Sequence, residues 1–410
     1  MRKRFTTYLF AGLCFALLAP MSAFADVVVN EENFPDANFR AYLLAQDYGE
    51  DGVITDDEIA EVTSINVNKS YDTPTEEKIS TLEGIQYFTE LTYLFCNNNQ
   101  LTSLDVSGCT ALTMLLCDGN QLTSLDVSNH AILQQLSCYK NQLTSLDVSK
   151  NTELWRLDCS DNQLTDLDMS GCTTLTYLYC SGNRLTSLDV SNNTALEVLS
   201  CENNRLTSLD VSNHTILQQL SCNSNQLTNL NVSGCTALTS LLCNNNQLTS
   251  LNTSDCTALT SLLCSDNQLA SLDLSKNTVL TFIRCSSNKI YGENMDKLIE
   301  SLSSYGISIM IYDRTSETEG NVCTRSQVAA IKAKWCTPYY LVGYDMETNQ
   351  EVWREYEGSD DLDGIIATEM GNGLEFGANA VAYDLNGRRV EGWQNRKGVY
   401  IINGKKVMVK

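Results

Sequence analysis

The chain has 410 residues, which is more than one packed domain usually holds, so several units or a repeat array are expected. Its formal net charge is −23. Phosphate binding needs clustered lysine and arginine, so this charge excludes nucleic acid as a partner and disfavours an anionic membrane.

The start of the chain, 1–25, has the three parts of a secretory signal peptide. A basic start (residues 1–4) precedes a mostly apolar stretch from Tyr8 to Pro20, and small residues end in Ala23-Phe24-Ala25. The apolar run is too short to span a bilayer, and no later segment is long enough. We therefore predict an exported protein, secreted or attached to the cell surface. Cleavage after Ala25 removes three positive charges and changes the net charge from −23 to −26.

Residues 26–81 are predicted to form a helical cap that contains a loop like that of an EF-hand. The loop lies between a segment with helical spacing, 33–44, and a second helix start near residue 57. It has acidic residues at loop positions 1, 5 and 12, glycine at 6 and isoleucine at 8. Its candidate calcium ligands are Asp47, Asp51, the Val53 carbonyl, Thr55 and Glu58. Because Gly49 offers no side-chain oxygen at position 3, both a weak calcium site and an empty structural turn stay open. No cofactor other than this calcium is expected.

Residues 82–290 contain a 21-residue repeat. Cysteine recurs ten times with this step from Cys96 to Cys285, and asparagine recurs ten times from Asn99 to Asn288. The unit at 112–128, LTMLLCDGNQLTSLDVS, matches the leucine-rich-repeat pattern L-x-x-L-x-L-x-x-N-x-L with cysteine at the third apolar place. We predict an α+β repeat solenoid of about ten such units, each too short for a full helix on the outer side.

Each unit is too small to bury its own apolar residues, so neighbouring units must stack into one core. Alternation along a short strand places Leu115 and Cys117 inside and Met114, Leu116 and Asp118 outside. The recurring asparagine is expected to turn inward and form an amide ladder with backbone groups. The cysteines are predicted to be reduced packing groups, because rungs about 4.8 Å apart hold Cβ atoms beyond the disulfide range of about 3.5–4.5 Å.

The repeats resemble the bacterial internalin-J-like leucine-rich proteins, which share a 21-residue unit with cysteine in the strand. The resemblance covers Leu82 to Ile290. It implies surface display and adhesion, but it implies no particular ligand.

Residues 291–357 are predicted to form an α/β cap at the other end of the solenoid. Helices near 293–302 and 325–335 alternate with strands near 307–312 and 338–342. Cys323 and Cys336 flank the second helix and are candidates for a disulfide.

The last segment, 358–410, is predicted to be a small β-sandwich with a sorting or anchoring role. Two strand-rich stretches, 380–390 and 398–410, contain Asn-Gly and Gly turns. They resemble the C-terminal sorting domain of type IX secretion cargo in Bacteroidetes. This resemblance implies recognition by the export machinery, transit across the outer membrane, and release or attachment there. An ordinary β-domain is the alternative.

The sequence contains no catalytic constellation. Glycine-rich phosphate loops, G-x-S-x-G and H-E-x-x-H are absent. His130 and His214 occupy one repeat register with cysteines and asparagines, and stacking would bring His214 about one rung from Cys235. A Cys–His pair or a zinc site is therefore an alternative, although no carboxylate is placed to orient an imidazole. We predict that the protein is not an enzyme.

Recognition is predicted on the outward side of the strands, because the repeated positions make the fold and only the varied ones can carry specificity. Tyrosine, tryptophan and arginine are the usual anchors of protein interfaces. The candidate binding residues on this side are Tyr139, Trp155, Arg156, Tyr177, Tyr179 and Leu116. We predict an extracellular protein ligand, from a host or a neighbouring cell. A glycan is the alternative, since aromatic rings also stack on sugars and Asp158 and Asp161 lie nearby.

Overall fold

The structure is a computed structural model. It describes residues 26–303, 306–345, 348 and 350–359, and four strands between residues 382 and 409. The predicted signal peptide, 1–25, lies outside the described residues. The helices are α1 (Ala37–Leu44), α2 (Asp56–Glu61), α3 (Glu293–Ser301) and α4 (Arg325–Ala333), with 3-10 turns at Thr75–Glu77 and Ile85–Tyr87. None of the described helices is both long and apolar enough to span a membrane.

Ten short strands recur, one in each repeat, and together they give about nine turns of a solenoid. They pair in parallel and in register; Leu115, for example, lies beside Leu94 and Leu136. The predicted repeat solenoid is confirmed. The strands are β4 (Tyr93–Phe95), β5 (Met114–Leu116), β6 (Gln135–Ser137), β7 (Arg156–Asp158), β8 (Tyr177–Tyr179), β9 (Val198–Ser200), β11 (Gln219–Ser221), β13 (Ser240–Leu242), β14 (Ser261–Leu263) and β15 (Phe282–Arg284).

Two further strands, β10 (Ser208–Asp210) and β12 (Asn229–Asn231), pair in parallel on the other side of the coil. They belong to segments about half a repeat away from the main strands. This second side has little regular structure elsewhere in the array, as expected from a unit too short to contain a helix.

The side chains alternate along each main strand as predicted. Leu115 and Cys117 are buried, whereas Met114, Leu116 and Asp118 are partly exposed. We define the strand face as the outward side chains of the ten main strands, together with those of the two residues before and the three residues after each strand.

The recurring asparagine forms the predicted amide ladder. The Asn120 side chain donates to the carbonyls of Cys96 and Cys117, each at 3.0 Å, and accepts from the backbone N–H of Leu101 at 3.0 Å. The same three bonds recur from Asn120 to Asn288, so one side chain satisfies backbone groups of two neighbouring rungs. The residue before each ladder asparagine has a positive φ, including Gly119 and Lys140. Left-handed backbone favours Gly, Asn and Asp, which fill seven of the ten positions in that column.

The N-terminal cap extends the main sheet. It contains β1 (Val27–Val28), which pairs antiparallel with β2 (Val53–Ile54), and β3 (Ser64–Asn66), which pairs in parallel with β4. Helix α1 has Asp36 as its N-cap, whose carboxylate accepts from the backbone N–H groups of Asn38 and Phe39. Phe34, Phe39 and Leu43 join the same apolar core as the repeats.

The C-terminal cap continues the repeat pattern with different residues. It adds β16 (Ser308–Asp313), which is parallel to β15, then β17 (Thr337–Tyr344), and finally β18 (Glu351–Glu355), which is antiparallel to β17. Asn321 takes the place of a ladder asparagine: it donates to the carbonyls of Cys285 and Ile311 and accepts from Ile290 N–H. Cys323 is a buried free thiol, so the candidate disulfide between Cys323 and Cys336 is not formed.

Four strands at the C-terminal end form one antiparallel sheet. They are β19 (Ala382–Tyr383), β20 (Arg389–Val390), β21 (Gly398–Ile402) and β22 (Lys405–Val409), in the order β20-β19-β21-β22. They lie in the two stretches for which strands are predicted. The sandwich and its sorting role stay predictions.

Candidate ligand-binding face

Four candidate binding residues meet on the strand face where β7 and β8 pair. Register places Arg156 beside Tyr177 and Asp158 beside Tyr179. The Trp155 ring meets the Tyr177 ring edge to face, with centroids 5.9 Å apart. The Arg156 guanidinium carbon lies 4.8 Å from the Tyr179 ring centroid and 6.0 Å from that of Tyr177. We call Trp155, Arg156, Tyr177 and Tyr179 the central group.

The other two candidates lie outside this cluster. Among the described residues, Tyr139 makes no ring contact with the central group, although it is exposed on the neighbouring rung. Its phenol lies beside Asp161, whose charge raises the pKa of Tyr139. Leu116 is partly exposed two rungs before Asp158 in the same column, with Ser137 between them. Four of the six candidate binding residues therefore form one contiguous cluster, and the other two, Tyr139 and Leu116, lie on the two preceding rungs of the same face.

Carboxylates surround the central group. Asp118 accepts hydrogen bonds from the Ser137 hydroxyl and the Tyr139 N–H, and burial raises its pKa. Glu202 accepts from Ser200 at 2.7 Å. These two acids are not among the binding residues predicted from the sequence. They stand three positions after the second inward leucine of their rungs, so alignment of all repeats by column would have shown them.

The last rung is occupied by the C-terminal cap. Arg284 donates two hydrogen bonds to Glu351 in β18, at 2.8 and 2.9 Å, and its guanidinium lies 4.9 Å from the Trp353 ring centroid. At the first rung, Tyr93 and Phe95 stack on each other with centroids 6.3 Å apart. Arg284 on the last rung is thus engaged by the C-terminal segment, whereas the contacts of the central group are made within the strand face itself.

The EF-hand-like loop has the shape of a helix start. Thr55 and Glu58 form a capping box at α2: Glu58 accepts from the Thr55 N–H at 2.9 Å and from its hydroxyl at 2.8 Å. Asp51 accepts from the Val53 N–H at 2.9 Å, and Asp47 is exposed. A Cβ at Gly49 would lie 2.4 Å from the Leu43 carbonyl oxygen, which is why position 3 carries no side-chain ligand.

No group of three or more His, Cys, Asp or Glu side chains stands close enough to hold a metal ion within the described parts of the chain. The calcium ligands therefore stay a prediction. To bind the cation, Glu58 would have to exchange its hydrogen bonds with Thr55 for bonds to calcium.

The histidine register is a column of hydrogen-bond donors. Each side chain donates to the carbonyl 24 residues earlier: Cys109 to Ile85, His130 to Val106, Asn151 to Val127 and Cys235 to Val211. Cysteine, histidine and asparagine share one N–H or S–H directed this way, which explains why they alternate.

His214 and Cys235 do not pair in this column. Both approach the Val211 carbonyl, at 3.0 Å from His214 Nδ1 and 3.1 Å from Cys235 Sγ. His214 Nε2 faces the Val190 carbonyl at 3.1 Å. These hydrogen bonds to backbone carbonyls give the column a structural role in the solenoid.

Comparisons with known proteins agree with this architecture. The family model "Leucine Rich repeats (2 copies)" matches residues 173–214. The functional domain of InlJ from Listeria monocytogenes, whose structure is described as including a cysteine ladder, is 34% identical with a TM-score of 0.62. That match covers 73% of this chain but only 62% of the InlJ domain, so the chain spans less than two thirds of its length.

A leucine-rich-repeat protein from Leptospira interrogans is 19% identical with a TM-score of 0.52, over 70% of this chain and 79% of that one, and shows the fold alone. A search of the curated proteins found no match. Neither relative is described as an enzyme. The chain has an InlJ-like leucine-rich-repeat fold, and segments on both sides of the repeats continue its main sheet.

Proposed function

We propose that this chain is an exported binding protein that recognises an extracellular protein on its strand face. The observation that carries the proposal is the central group: three aromatic rings and a guanidinium in mutual contact on two adjacent rungs. Trp, Tyr and Arg clustered at the middle of a face are the residues that dominate binding energy in protein interfaces. At the last rung Arg284 is already engaged by Glu351 and Trp353, which favours the middle of the face for a ligand.

A glycan fits this cluster less well than a protein does. Sugars stack on the open face of an aromatic ring, but the guanidinium of Arg156 already lies over Tyr179. The Trp155 and Tyr177 rings are 72° apart, so they make no flat platform. A protein surface can pack against edges and faces together, which favours it as the ligand.

The test is capture from an extract of host-cell surface proteins, with a glycan array in parallel. The whole chain would be compared with the Trp155→Ala and Tyr179→Ala variants, and with Phe282→Ala on the last rung as a matched aromatic control. We expect each central substitution to lower capture of a protein at least tenfold, and the control to leave it unchanged. Unchanged capture by both central variants would mean that the ligand binds elsewhere, and binding to glycans alone would replace the protein ligand.

Export and calcium belong to the same proposal. The basic and apolar start of the sequence supports secretion, and the β-strands between 382 and 409 support a sorting module that acts at the outer membrane. The loop from Asp47 to Glu58 is proposed as a weak calcium site in the N-terminal cap, on the strength of its spacing.

A further inference from the structure

The charge of the strand face is concentrated on the five rungs from β5 to β9, which include the two rungs of the central group. Between β5 and β9 the face carries two cations, Lys140 and Arg156, and more than twice as many carboxylates. These carboxylates are Asp118, Asp158, Asp161, Glu197 and Glu202. From β11 to β14 the face is mostly Ser, Thr, Asn, Gln and Leu, and Asp266 is its only acid.

Both cations on these rungs are held against rings of the protein itself. Arg156 lies over Tyr179, and Lys140 lies 5.1 Å from the ring centroid of Tyr71. Within the described residues, neither forms an ion pair within 4 Å with a carboxylate of the face. Asp118, Asp158 and Glu202 accept hydrogen bonds from the protein rather than close ion pairs, so a cationic ligand would relieve the mutual repulsion of the carboxylates.

The rings of the central group suit the same kind of ligand as the acids do. Tyrosine and tryptophan attract cations through the negative face of the ring. The contact between Arg156 and Tyr179 is an internal example of this chemistry on the face itself. Aromatic rings beside carboxylates form a surface that binds lysine and arginine side chains by stacking and by charge together.

We propose that the ligand presents a lysine- or arginine-rich protein segment to the strand face, where its cations meet the Trp155 and Tyr177 rings and the carboxylates at Asp158 and Glu202. This inference rests on the proposed function and specifies the chemistry of the partner. A net charge of −23 over the whole chain attracts a cationic partner over long distances, and the residues of the strand face fix the place at which it binds.

The test must separate charge at this face from charge in general. A face variant, Asp118→Asn, Asp158→Asn and Glu202→Gln, removes three negative charges and keeps an acceptor oxygen at each position. The control, Asp126→Asn, Asp168→Asn and Asp189→Asn, removes three exposed charges from the turns on the other side of the coil. Asparagine fits those turns, because Asn231 and Asn252 already occupy the register and accept from the serine two residues later.

The probes are three synthetic 15-residue peptides that share Gly, Ser and Tyr positions and carry six Lys/Arg, six Gln or six Glu residues. Fluorescence anisotropy at 150 mM NaCl measures their binding to the whole chain. We expect the basic peptide to bind best, the face variant to weaken it at least tenfold, and the control less than threefold. Equal losses in both variants, or preference for the Gln or Glu peptide, would overturn the inference.

The same variants in the capture assay separate this inference from the proposed function. One outcome is that Trp155→Ala abolishes capture of the protein ligand while the face variant leaves capture unchanged. In that case the ligand binds the strand face, but the inferred preference for cations is wrong. If neither change affects capture, the proposed function fails, and the inference fails with it.

Discussion

Arg284 in the last repeat strand and Glu351 in the capping strand are joined by two hydrogen bonds of 2.8 and 2.9 Å across 67 residues of sequence. The pair is about a quarter exposed, with Arg284 at 21% and Glu351 at 32%. It also holds the guanidinium against Trp353. The open end of a solenoid needs such a cover, since its last rung would otherwise expose the core to water.

Replacing Glu351 with alanine is expected to destabilise the C-terminal end by about 1–2 kcal/mol, because a bidentate charged pair and its cation–π contact are lost together. Urea denaturation measures the change. The control is Glu355→Ala, which breaks the more exposed pair with Lys332 at 2.6 Å and is expected to cost less than about 1 kcal/mol. Equal effects would show that the Arg284 pair does not hold the cap.

The donor column predicts which substitutions His130 accepts. His130→Asn should keep most of the stability, since Asn151 and Asn193 already fill the same register with a donor to the same kind of carbonyl. His130→Leu should cost about 1 kcal/mol, because the buried Val106 carbonyl loses the imidazole donor and keeps only the Cys109 N–H, at 2.8 Å. Thermal unfolding of the two variants compares them. A leucine variant as stable as the asparagine one would disprove the role of the column.

The ladder cysteines are expected to be unreactive in the folded protein. Burial raises the pKa of the Cys243 thiol to about 12 and that of Cys117 still further, so almost no thiolate exists near pH 8. A thiol reagent such as DTNB should therefore label the native chain little and label it strongly in urea. Disulfides formed after export would give the opposite result, little labelling even when the chain is unfolded.

Glu319 gives the C-terminal cap a dependence on pH. Burial raises its pKa to about 7 from 4.5, against the effect of three backbone N–H donors from Ser287, Asp313 and Asn321. The folded state then holds a proton that the unfolded state releases, so its contribution is full below about pH 4.5 and is lost as pH rises through about 7. At about 1.4 kcal/mol per pH unit this is on the order of 3 kcal/mol.

Glu319→Gln tests this dependence. The difference in unfolding free energy between the two proteins should change across pH 4.5–7, and the variant should gain relative to the parent as pH rises. A constant difference over that range would mean that Glu319 is ionised throughout.

The calcium proposal is tested with Glu58→Gln. Glutamine can keep the capping box, as Gln327 does with Thr324 at the start of α4, but it removes a bidentate carboxylate. Millimolar calcium should raise the unfolding temperature of the parent and not of the variant, and magnesium should raise neither. Absence of a calcium effect on the parent would leave the loop as a structural turn.

The repeat itself could be predicted because its information is local and periodic. A constant step with leucine, cysteine and asparagine in fixed places determines which side chains are buried, so the positions of Leu115, Cys117 and Asn120 follow from the pattern alone. The outward direction of Trp155, Arg156, Tyr177 and Tyr179 follows for the same reason.

What only the tertiary structure decided is how residues from different rungs meet. Arg156 turns toward Tyr179 on the next rung and leaves Tyr139 outside the cluster. The alternation of Cys, His and Asn in the donor column is explained by the carbonyl of the preceding rung to which each side chain donates. The engagement of Arg284 by Glu351 has no periodic signal at all, because the cap is not a repeat. Periodicity specifies the side on which a residue lies, but its partner is chosen by packing and hydrogen bonding between segments that are distant in sequence.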